Sequence, residues 1–408
     1  MKRLFIILSV IGILHFYGQT QTTDKKVEQT IFVFGGVINQ KFIQYVVDLT
    51  KKQNPKVCYV PTANADNSND IKFWNFICKK LSIEPYVLKV WISSADTPKT
   101  FEETLLSMDA IVVGGGNTLN MMGIWKAQGI DQILNKALRK GIILAGGSAG
   151  SLCWFQNGIS DCRPVNLSVV EGLAFLPYSH CPHFGDSLRR NMYYQKIKNY
   201  EIKPGYACDE LSGVLFKNGI CVEAVSQNDI NNSYYVARKN GIIVPQKLKS
   251  KILINKDAIP TDAYIKMDIN KTLKDFPEIF NQETPLNAFI SIKYIAVNGQ
   301  ASKIKQVSSY YLKDRFIDIV PDIQVEESTK KKLLDTQIER MLVYEDLVAG
   351  FINKQEDFYG LWFFYNENGK WLSAGEDVGG QTVFESEITF REKAKMHLEK
   401  LKKITPNR

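Results

Sequence analysis

The feature that most constrains the fold of this 408-residue chain is a series of short apolar segments that each end in adjacent glycines. Thr30–Phe34 precedes Gly35 and Gly36, Ala110–Val113 precedes three glycines, and residues 142–145 precede two. Segments with apolar residues at helical spacing lie between them. Near-continuous apolar strands that alternate with helices predict a parallel sheet covered on both faces. The N-terminal half is therefore predicted to be a doubly wound, mostly parallel α/β domain.

The glycine-rich strand exits are the expected place for chemistry, because ligands of such sheets bind beyond the carboxyl ends of the strands. Residues 146–150 read G-G-S-A-G, which fits the G-x-S-x-G pattern between a buried strand and a helical segment. Small flanking residues allow a sharp turn that exposes the Ser148 hydroxyl, and the N–H of Ala149 can point at a developing oxyanion. The pattern predicts Ser148 as a nucleophile; the alternative is an ordinary glycine-rich turn.

The scarcity of histidine limits the choice of a general base. The chain has four histidines, of which His15 lies in the N-terminal apolar segment and His397 in the basic C-terminal segment. Any Ser–His chemistry must therefore use His180 or His183. His183, in a Pro-His-Phe-Gly turn, is expected to be presented at a surface, and His180 to be packed. Two close histidines without a zinc-binding motif argue against a metal hydrolase.

A histidine base needs a carboxylate to orient it. Asp161 is one candidate, and the adjacent Asp209 and Glu210 are the others. Each could equally be a turn or helix-cap residue, so the sequence leaves the choice open. The second glycine-rich exit, residues 114–116, lacks the Lys-Ser/Thr of a phosphate-binding loop but could place another backbone N–H beside the serine. No cofactor and no metal are predicted.

The N-terminus has the architecture of a signal peptide over residues 1–20. Lys2 and Arg3 precede an apolar run over residues 4–17, which is short for a membrane span of about 20 residues. The alternative is an N-terminal anchor helix. We expect an exported protein with no stable membrane span after cleavage. The net charge of +8 comes without a basic face or recognition motif, which argues against nucleic acid as a partner.

The sequence changes in character after the first 248 residues. Residues 27–248 are assigned to the α/β domain, and residues 249–408 contain no cysteine and carry several apolar segments. These predict strands over residues 288–297, 308–311, 360–365 and 382–390, with a hairpin turn at Asn368 and Gly369. We therefore predict a C-terminal α+β accessory domain. All seven cysteines precede it, and one disulfide among Cys162, Cys181 and Cys208 is possible in an oxidising compartment.

Four segments, taken together, resemble the peptidase E family, the aspartyl dipeptidase and cyanophycinase group of serine peptidases known as family S51. They are V-C-Y-V-P-T at 57–62, V-V-G-G-G-N-T at 112–118, L-A-G-G-S-A-G at 144–150 and C-P-H-F at 181–184. The resemblance covers about residues 31–216 and implies the fold of class I glutamine amidotransferases. The accessory domain faintly resembles nuclear transport factor 2-like domains in its Trp- and Tyr-rich hairpins.

The resemblance also implies roles for individual residues. Ser148 would be the nucleophile and His183 the general base, with either Asp161 or Glu210 as the third catalytic residue. The remaining implied roles are an oxyanion hole formed by Gly115, Gly116 and Ala149, and substrate binding by Asn117, Arg189 and Arg190.

The sequence thus predicts an exported serine exopeptidase that hydrolyses small peptides with an acidic N-terminal residue through an acyl-enzyme. The substrate class comes from the resemblance alone. One alternative is an esterase on the same serine turn, and another is a binding protein whose α/β domain has lost catalysis. A homodimer is possible.

Overall fold

The computed structural model describes residues 27–91, 98–255, 258–309, 321–354 and 358–404. The predicted signal peptide lies outside these residues and stays a prediction. None of the helices within the described ranges is both long enough and apolar enough to span a bilayer.

The N-terminal unit contains two sheets. Its helices are α1 (Gln40–Thr50), α2 (Ser68–Cys78), α3 (Phe101–Leu106), α4 (Thr118–Gln128), α5 (Ile130–Arg139), α6 (Ala149–Leu152) and α7 (Ser187–Lys198). Its strands are β1 (Thr30–Phe34), β2 (Lys56–Val60), β3 (Glu84–Val87), β4 (Ala110–Val113), β5 (Ile143–Gly147), β6 (Phe155–Ser160), β7 (Ser168–Glu171), β8 (Leu176–Cys181), β9 (Gly205–Cys208), β10 (Ser212–Lys217), β11 (Ile220–Ser226), β12 (Ser233–Lys239), β13 (Ile242–Lys247) and β14 (Ser250–Ile252).

The main sheet has the order β14-β11-β10-β1-β5-β4-β2-β3. Strands β1, β5, β4, β2 and β3 are parallel, and β10 and β11 extend the sheet by antiparallel pairing. Both faces are covered: Phe32 packs with Trp74 of α2, whereas the adjacent Val33 packs in the cluster that contains Trp125 of α4. The predicted doubly wound α/β fold is confirmed. Strand β14 begins at Ser250, so the sheet continues past the boundary placed at residue 248.

A second sheet, which was not predicted from the sequence, has the order β13-β12-β9-β8-β6-β7. Strands β6, β8 and β9 run parallel, and β7, β12 and β13 are antiparallel to their neighbours. Helix α7 packs on this sheet through Tyr193 and Ile197. The sheet matters for function because β8 and β9 lead into the residues 181–184 and 209–210 that were singled out from the sequence.

The C-terminal unit is an antiparallel sheet with helices on both faces. Its strands are β15 (Tyr264–Thr272), β16 (Gln337–Tyr344), β17 (Val348–Lys354), β18 (Tyr359–Glu367) and β19 (Lys370–Gly380), and its helices are α8 (Pro285–Val297), α9 (Ile304–Val307), α10 (Glu327–Leu334) and α11 (Val383–Ile404). The strands are paired in chain order. Phe289 of α8 packs against one face and Phe390 of α11 against the other. The predicted α+β class is confirmed for this part of the chain.

The predicted hairpin turn is also confirmed. The pair of residues nearest the turn between strands β18 and β19 is Glu367 with Lys370. The two residues that connect them are Asn368 and Gly369. Their φ values of 54° and 85° are both positive, as a type I′ turn requires.

The strands predicted over residues 288–297 and 382–390 are wrong, because both segments are helical. Thr284 caps α8 and Pro285 occupies its first turn. Apolar side chains on nearly every side of α8 are buried, so the helical period that would have identified it is absent. Thr382 accepts the N–H of Glu385, which begins α11 at the segment that was read as a strand. In the predicted strand 308–311, Ser308 forms only an isolated bridge, and residues 310–311 lie outside the described ranges.

Polar contacts join α11 to the N-terminal unit. The ammonium of Lys41, in α1, lies 2.8 Å from the Glu392 carboxylate of α11, which also accepts the N–H of Asn255 at 3.1 Å. The Thr382 hydroxyl donates to Asp229 at 2.9 Å. The accessory unit therefore contacts the helix that follows the first strand of the main sheet.

Two glycine-to-alanine changes test the packing. A Cβ at Gly350 would lie 2.5 Å from the buried ring of Phe390, so we expect Gly350→Ala to lower the free energy of unfolding by about 1–3 kcal/mol. A Cβ at Gly123, inside α4, would meet no atom within 4 Å, so Gly123→Ala should raise that free energy by about 0.5–1 kcal/mol. Urea denaturation measures both. Equal effects of the two changes would contradict the described packing of α11.

Candidate active site

Ser148 stands at a sharp turn between β5 and α6. Its φ of 53° and ψ of −118° lie outside the ordinary regions, a conformation that costs about 1–3 kcal/mol and persists only where the surroundings enforce it. The neighbours have no room for side chains: a Cβ at Gly147 would lie 2.2 Å from the Gly36 carbonyl oxygen, and one at Gly146 2.2 Å from that of Gly150. The turn places the serine at the carboxyl end of the central strand β5.

His183 follows β8 and has a φ of 53°. Its turn is held by the N–H of Phe184, which donates to the Cys208 carbonyl at 3.0 Å, and by the N–H of Asp186, which donates to the His183 carbonyl at 3.0 Å. The Nε2 atom of His183 lies 2.7 Å from the Ser148 Oγ. The two side chains, far apart in sequence, are thus in hydrogen-bond contact.

Glu210, between β9 and β10, contacts the other ring nitrogen of the histidine. Its Oε1 is hydrogen-bonded to His183 Nδ1. The hydrogen bond from His183 lowers the pKa of Glu210 and outweighs the opposing effect of partial burial. A Cβ at Gly36 would lie 2.3 Å from Glu210 Oε2 and 2.7 Å from the Glu210 carbonyl oxygen, so glycine at residue 36 lets the two segments approach closely.

The structure places Asp161, the other candidate carboxylate, in an ion pair with Arg189. Asp161 Oδ2 lies 2.5 Å from Arg189 Nη2, and the arginine side chain is 11% exposed. Burial raises the pKa of Asp161, but the hydrogen bond and charge of Arg189 outweigh it and leave the pKa below its usual value. Among the described contacts, Asp161 makes no hydrogen bond to His183. Asp209 instead accepts the N–H of Asn232 at 2.8 Å.

Two further residues named from the sequence serve local structure. The Asn117 Oδ1 caps α4 by accepting the N–H of Asn120 at 3.0 Å, and its Nδ2 donates to the Cys162 carbonyl at 3.0 Å. Arg190 donates to the Phe184 and Gly185 carbonyls, each at 3.3 Å, within the turn that carries the histidine. Neither side chain makes a described contact with Ser148, and the substrate-binding roles of Asn117 and Arg190 stay predictions.

His180 is fully buried and serves as a packed neighbour. Its Nε2 lies 2.9 Å from the Ser151 hydroxyl and its Nδ1 3.0 Å from the Tyr206 carbonyl. Its ring stacks on Phe155, with 4.4 Å between centroids. Burial lowers the pKa of His180 to about 3, so the ring is neutral at physiological pH.

Backbone N–H groups surround the serine. A Cβ at Gly115 would lie 3.3 Å from the Ser148 Cβ, which shows how closely the loop after β4 approaches the turn. Gly116 has a φ of 134°, a conformation that favours glycine. In the described part of the chain, the N–H groups of Gly115 and Gly116 donate to no protein acceptor. Ala149 is the first residue of α6, where the N–H has no partner within the helix. These N–H groups could donate to a ligand oxygen beside the serine.

A cavity of about 550 Å³ opens beside Ser148 and contains residues that were not singled out from the sequence. Val37, Tyr59, Asp70 and Phe73 are among those that line it. The Asn64 side-chain amide donates to Asp70 Oδ2 at 2.8 Å. Burial and, secondarily, the charge of Asp70 raise the pKa of Tyr59. Tyr59 lies in the 57–62 segment of the resemblance, whereas Val37, Asp70 and Phe73 carry no motif, so only their place near the exits of β1 and β2 could have indicated them.

Metal and disulfide chemistry receive no support from the described side chains. No group of three or more His, Cys, Asp or Glu residues is placed to hold a metal ion within the described ranges. The seven cysteines all lie in those ranges, and each is a free thiol, including Cys162, Cys181 and Cys208. The site that the structure assembles is therefore a serine, a histidine and a carboxylate at a sheet edge, flanked by backbone donors.

A serine, a histidine and a carboxylate in hydrogen-bond contact at the edge of a doubly wound sheet are typical of hydrolases. The sequence model of peptidase family S51 matches residues 33–222. An uncharacterized peptidase of Bacillus subtilis (strain 168), YgaJ, is 35% identical over 199 residues, which span 48% of this chain and 85% of that protein. The chain therefore belongs to peptidase family S51, and it is a peptidase.

Two solved structures are similar to parts of the chain. A peptidase from an acI-B1 Actinobacterium has a TM-score of 0.45 and 15% sequence identity, and the match covers 55% of this chain and 96% of that one. A putative peptidase E protein from Listeria monocytogenes EGD-e has a TM-score of 0.39 and 16% identity, with 49% and 100% of the two chains covered.

The position of the two carboxylates gives a direct test. Glu210→Gln removes the charge that faces His183, so we expect kcat/KM for peptide hydrolysis to fall by about 10³–10⁴-fold. Asp161→Asn instead removes the charge that pairs with Arg189. We expect kcat/KM to fall by less than about tenfold, because the loss of an ion pair that does not contact Ser148 or His183 costs at most about 1.4 kcal/mol. Steady-state kinetics decide between them, and the reverse ranking would transfer the role to Asp161.

Proposed function

We propose that this peptidase is a serine exopeptidase that cleaves small peptides through an acyl-enzyme. The observation that carries the proposal is the continuous hydrogen-bond chain from Ser148 through His183 to Glu210. A serine hydroxyl is a weak nucleophile unless a base removes its proton, and a base is effective when a third group fixes its orientation. The chain of contacts meets both needs.

The proposed reaction follows from this geometry. The Ser148 Oγ bonds to the carbonyl carbon of the substrate while its proton passes to His183 Nε2, and Glu210 stabilises the imidazolium that forms. The carbonyl oxygen becomes an oxyanion, for which the N–H groups of Gly115, Gly116 and Ala149 are the proposed donors. His183 then protonates the leaving amine. A water molecule, deprotonated by the same histidine, releases the acid and restores the serine.

The backbone donors would supply much of the rate enhancement. In other enzymes, removal of one strong oxyanion donor costs about 2.7–4 kcal/mol of transition-state stabilisation. Gly115 and Gly116 support this role because their N–H groups have no acceptor in the described part of the chain. A donor already satisfied by the protein would be far less useful to the oxyanion.

Small substrates and an acidic first residue complete the proposal. A cavity of about 550 Å³ beside the serine suits a short peptide. Arg189 is the candidate partner for an acidic side chain, because its guanidinium has donors beyond the one that contacts Asp161. We also propose export, on the strength of the N-terminal sequence pattern.

The cavity itself favours a second substrate class. Asp70 is the only side chain among its described lining residues that carries a charge at neutral pH. A carboxylate brought beside Asp70 would be repelled, whereas an amine or a basic side chain would be attracted. The group that enters this cavity is therefore proposed to be neutral or basic, even where another part of the substrate is acidic.

Hydrolysis of a dipeptide panel tests the proposed mechanism. Purified protein should cleave members of a panel with acidic, neutral and basic residues at each position. Ser148→Ala and His183→Ala should each lower kcat by at least about 10⁴-fold, because each removes a member of the reacting group. Ser107→Ala, at the exposed end of α3, is the matched control and should retain activity.

Three results would overturn the proposal. Cleavage that survives Ser148→Ala would remove the nucleophile assignment. Matched esters react faster than peptides even without an enzyme. A ratio of ester to peptide turnover that exceeds this intrinsic difference in reactivity would favour the esterase alternative. Absence of turnover for every substrate, with intact fold, would favour the binding-protein alternative.

Asp70 is tested by its effect on substrate selection. Asp70→Asn removes the charge of the cavity, so we expect kcat/KM for substrates with a basic residue to fall by about tenfold relative to acidic ones, a change of about 1.4 kcal/mol. Glu102→Gln, an exposed carboxylate paired with Lys136, is the control and should leave the ratio unchanged. An unchanged ratio in Asp70→Asn would show that substrates do not use this part of the cavity.

A further inference from the structure

A second cavity lies in the C-terminal unit, far in sequence from the serine site. It has a volume of about 860 Å³ and opens between α8, α10 and the end of β17. Four lysines on three elements line it, namely Lys293, Lys331, Lys332 and Lys354, and Leu333 supplies an apolar wall. We refer to it as the lysine cavity. Nothing in the serine chemistry described above uses these residues.

Lys293 is the most constrained of these cations. Its ammonium lies 4.0 Å from the centre of the Trp362 ring and 5.2 Å from that of Phe289, so the aromatic faces take the place of water around it. Burial lowers the pKa of Lys293 to about 8, and the nearby charge of Glu376 opposes the decrease. A cation held in such a place at neutral pH gains more from a ligand anion than a solvated lysine does.

Asn353 supplies an independent sign of a ligand. Its side chain is 1% exposed, lines the lysine cavity, and has an Oδ1 atom without a hydrogen-bond partner among the described residues. Buried polar atoms in folded proteins are nearly always paired, so an orphaned acceptor in a cavity indicates a donor that arrives from outside the chain. The position is on β17, in register with Gly360 of β18, where the partner strand offers no side chain to satisfy it.

The acidic residue at the edge of the cavity is paired with a lysine outside it. Asp335 lines the cavity, but its carboxylate lies 2.6 Å from the ammonium of Lys274, which is not among the lining residues. Its pKa is lowered first by the hydrogen bond from Lys274. Four lysines and one aspartate are among the described lining residues, so the lining carries an excess of positive charge.

We propose that the lysine cavity binds a small organic carboxylate that also carries an N–H donor, the combination found at the C-terminal residue of a short peptide or in an N-acyl amino acid. The carboxylate would contact Lys293, the N–H would satisfy Asn353 Oδ1, and an apolar side chain would pack on Leu333. The inference is independent of the proposed serine mechanism, because the site shares no residue with it. The accessory unit would thus be a second binding site for peptide-like acids.

Calorimetric titration of the full-length chain carrying Ser148→Ala tests the proposal without turnover. The probe is N-acetyl-leucine, which has all three features. N-acetyl-leucinamide lacks the charge, 4-methylpentanoate lacks the N–H, and inorganic phosphate lacks the apolar group. We expect saturable binding of N-acetyl-leucine and at least tenfold weaker binding of each of the others.

Variants locate the binding site. In the same background, Lys293→Met and Asn353→Leu should each weaken N-acetyl-leucine binding by at least tenfold. Lys330→Met is the matched control, because Lys330 is on α10 but pairs with Glu327 and does not line the cavity. Lys354→Gln changes an exposed residue at the rim of the cavity and should weaken N-acetyl-leucine binding by several-fold. This variant tests the site if the variants at the buried positions fail to fold. Thermal unfolding midpoints report on folding.

Three outcomes would overturn the proposal. The first is no saturable binding of N-acetyl-leucine to the folded chain. The second is binding that Lys293→Met, Asn353→Leu and Lys354→Gln leave unchanged, which would place the probe at the serine site. The third is equal or tighter binding of inorganic phosphate or of N-acetyl-leucinamide, which would assign the cavity to another class of ligand. Peptide hydrolysis by Lys354→Gln with Ser148 intact should be unchanged, so failure of this proposal and of the proposed catalysis remain distinguishable.

Discussion

The close approach of three backbones at the carboxyl end of the main sheet is the constraint on which the rest of the site depends. A Cβ at residue 147 would lie 2.2 Å from the Gly36 carbonyl oxygen, and a Cβ at residue 36 would lie 2.7 Å from the Glu210 carbonyl oxygen. Glycine at both positions lets β1, β5 and the turn after β9 converge. This convergence holds Ser148 in its unusual backbone conformation and brings a carboxylate to the histidine. Backbone packing thus brings the serine, the histidine and the carboxylate within reach of one another, and hydrogen bonds between their side chains complete the arrangement.

Much of this site could be predicted from the sequence, and the part that could not has a physical reason. Ser148 and His183 follow from a local pattern and from the scarcity of histidine. The choice between Asp161 and Glu210 depends on the distance between β1 and the turn that follows β9. That distance is set by the packing of the second sheet, which no local sequence pattern encodes. Asp70 and Phe73 face the cavity from the first turns of α2, where an acidic residue is also common for helix-dipole reasons, so nothing in the sequence separates the two roles.

The fold shows the same division. The main sheet was predictable because its strands are buried on both faces and end in glycine. The segment of α8 was mistaken for a strand because β-branched and aromatic residues are buried around most of the helix, so burial by the neighbouring sheet and α10 outweighs their preference for strands. The turn at Asn368 and Gly369 was predictable because it needs two positive φ values, a demand that few residue types meet.

The ion pair between Lys41 and Glu392 joins the accessory unit to the helix that follows part of the serine-side cavity. Helix α1 begins at Gln40, two residues after Ile38, which together with Val37 forms part of the cavity beside the serine. The capping side chain of that helix, Asn39, is in turn held by Gln227 at 2.8 Å. A protein shortened to the α/β unit would leave the Lys41 ammonium, 20% exposed, without its carboxylate, three residues along the chain from Ile38 of that cavity. The excised unit would therefore carry an unpaired positive charge on the helix that leads from the cavity, and we expect its selectivity to differ from that of the intact chain.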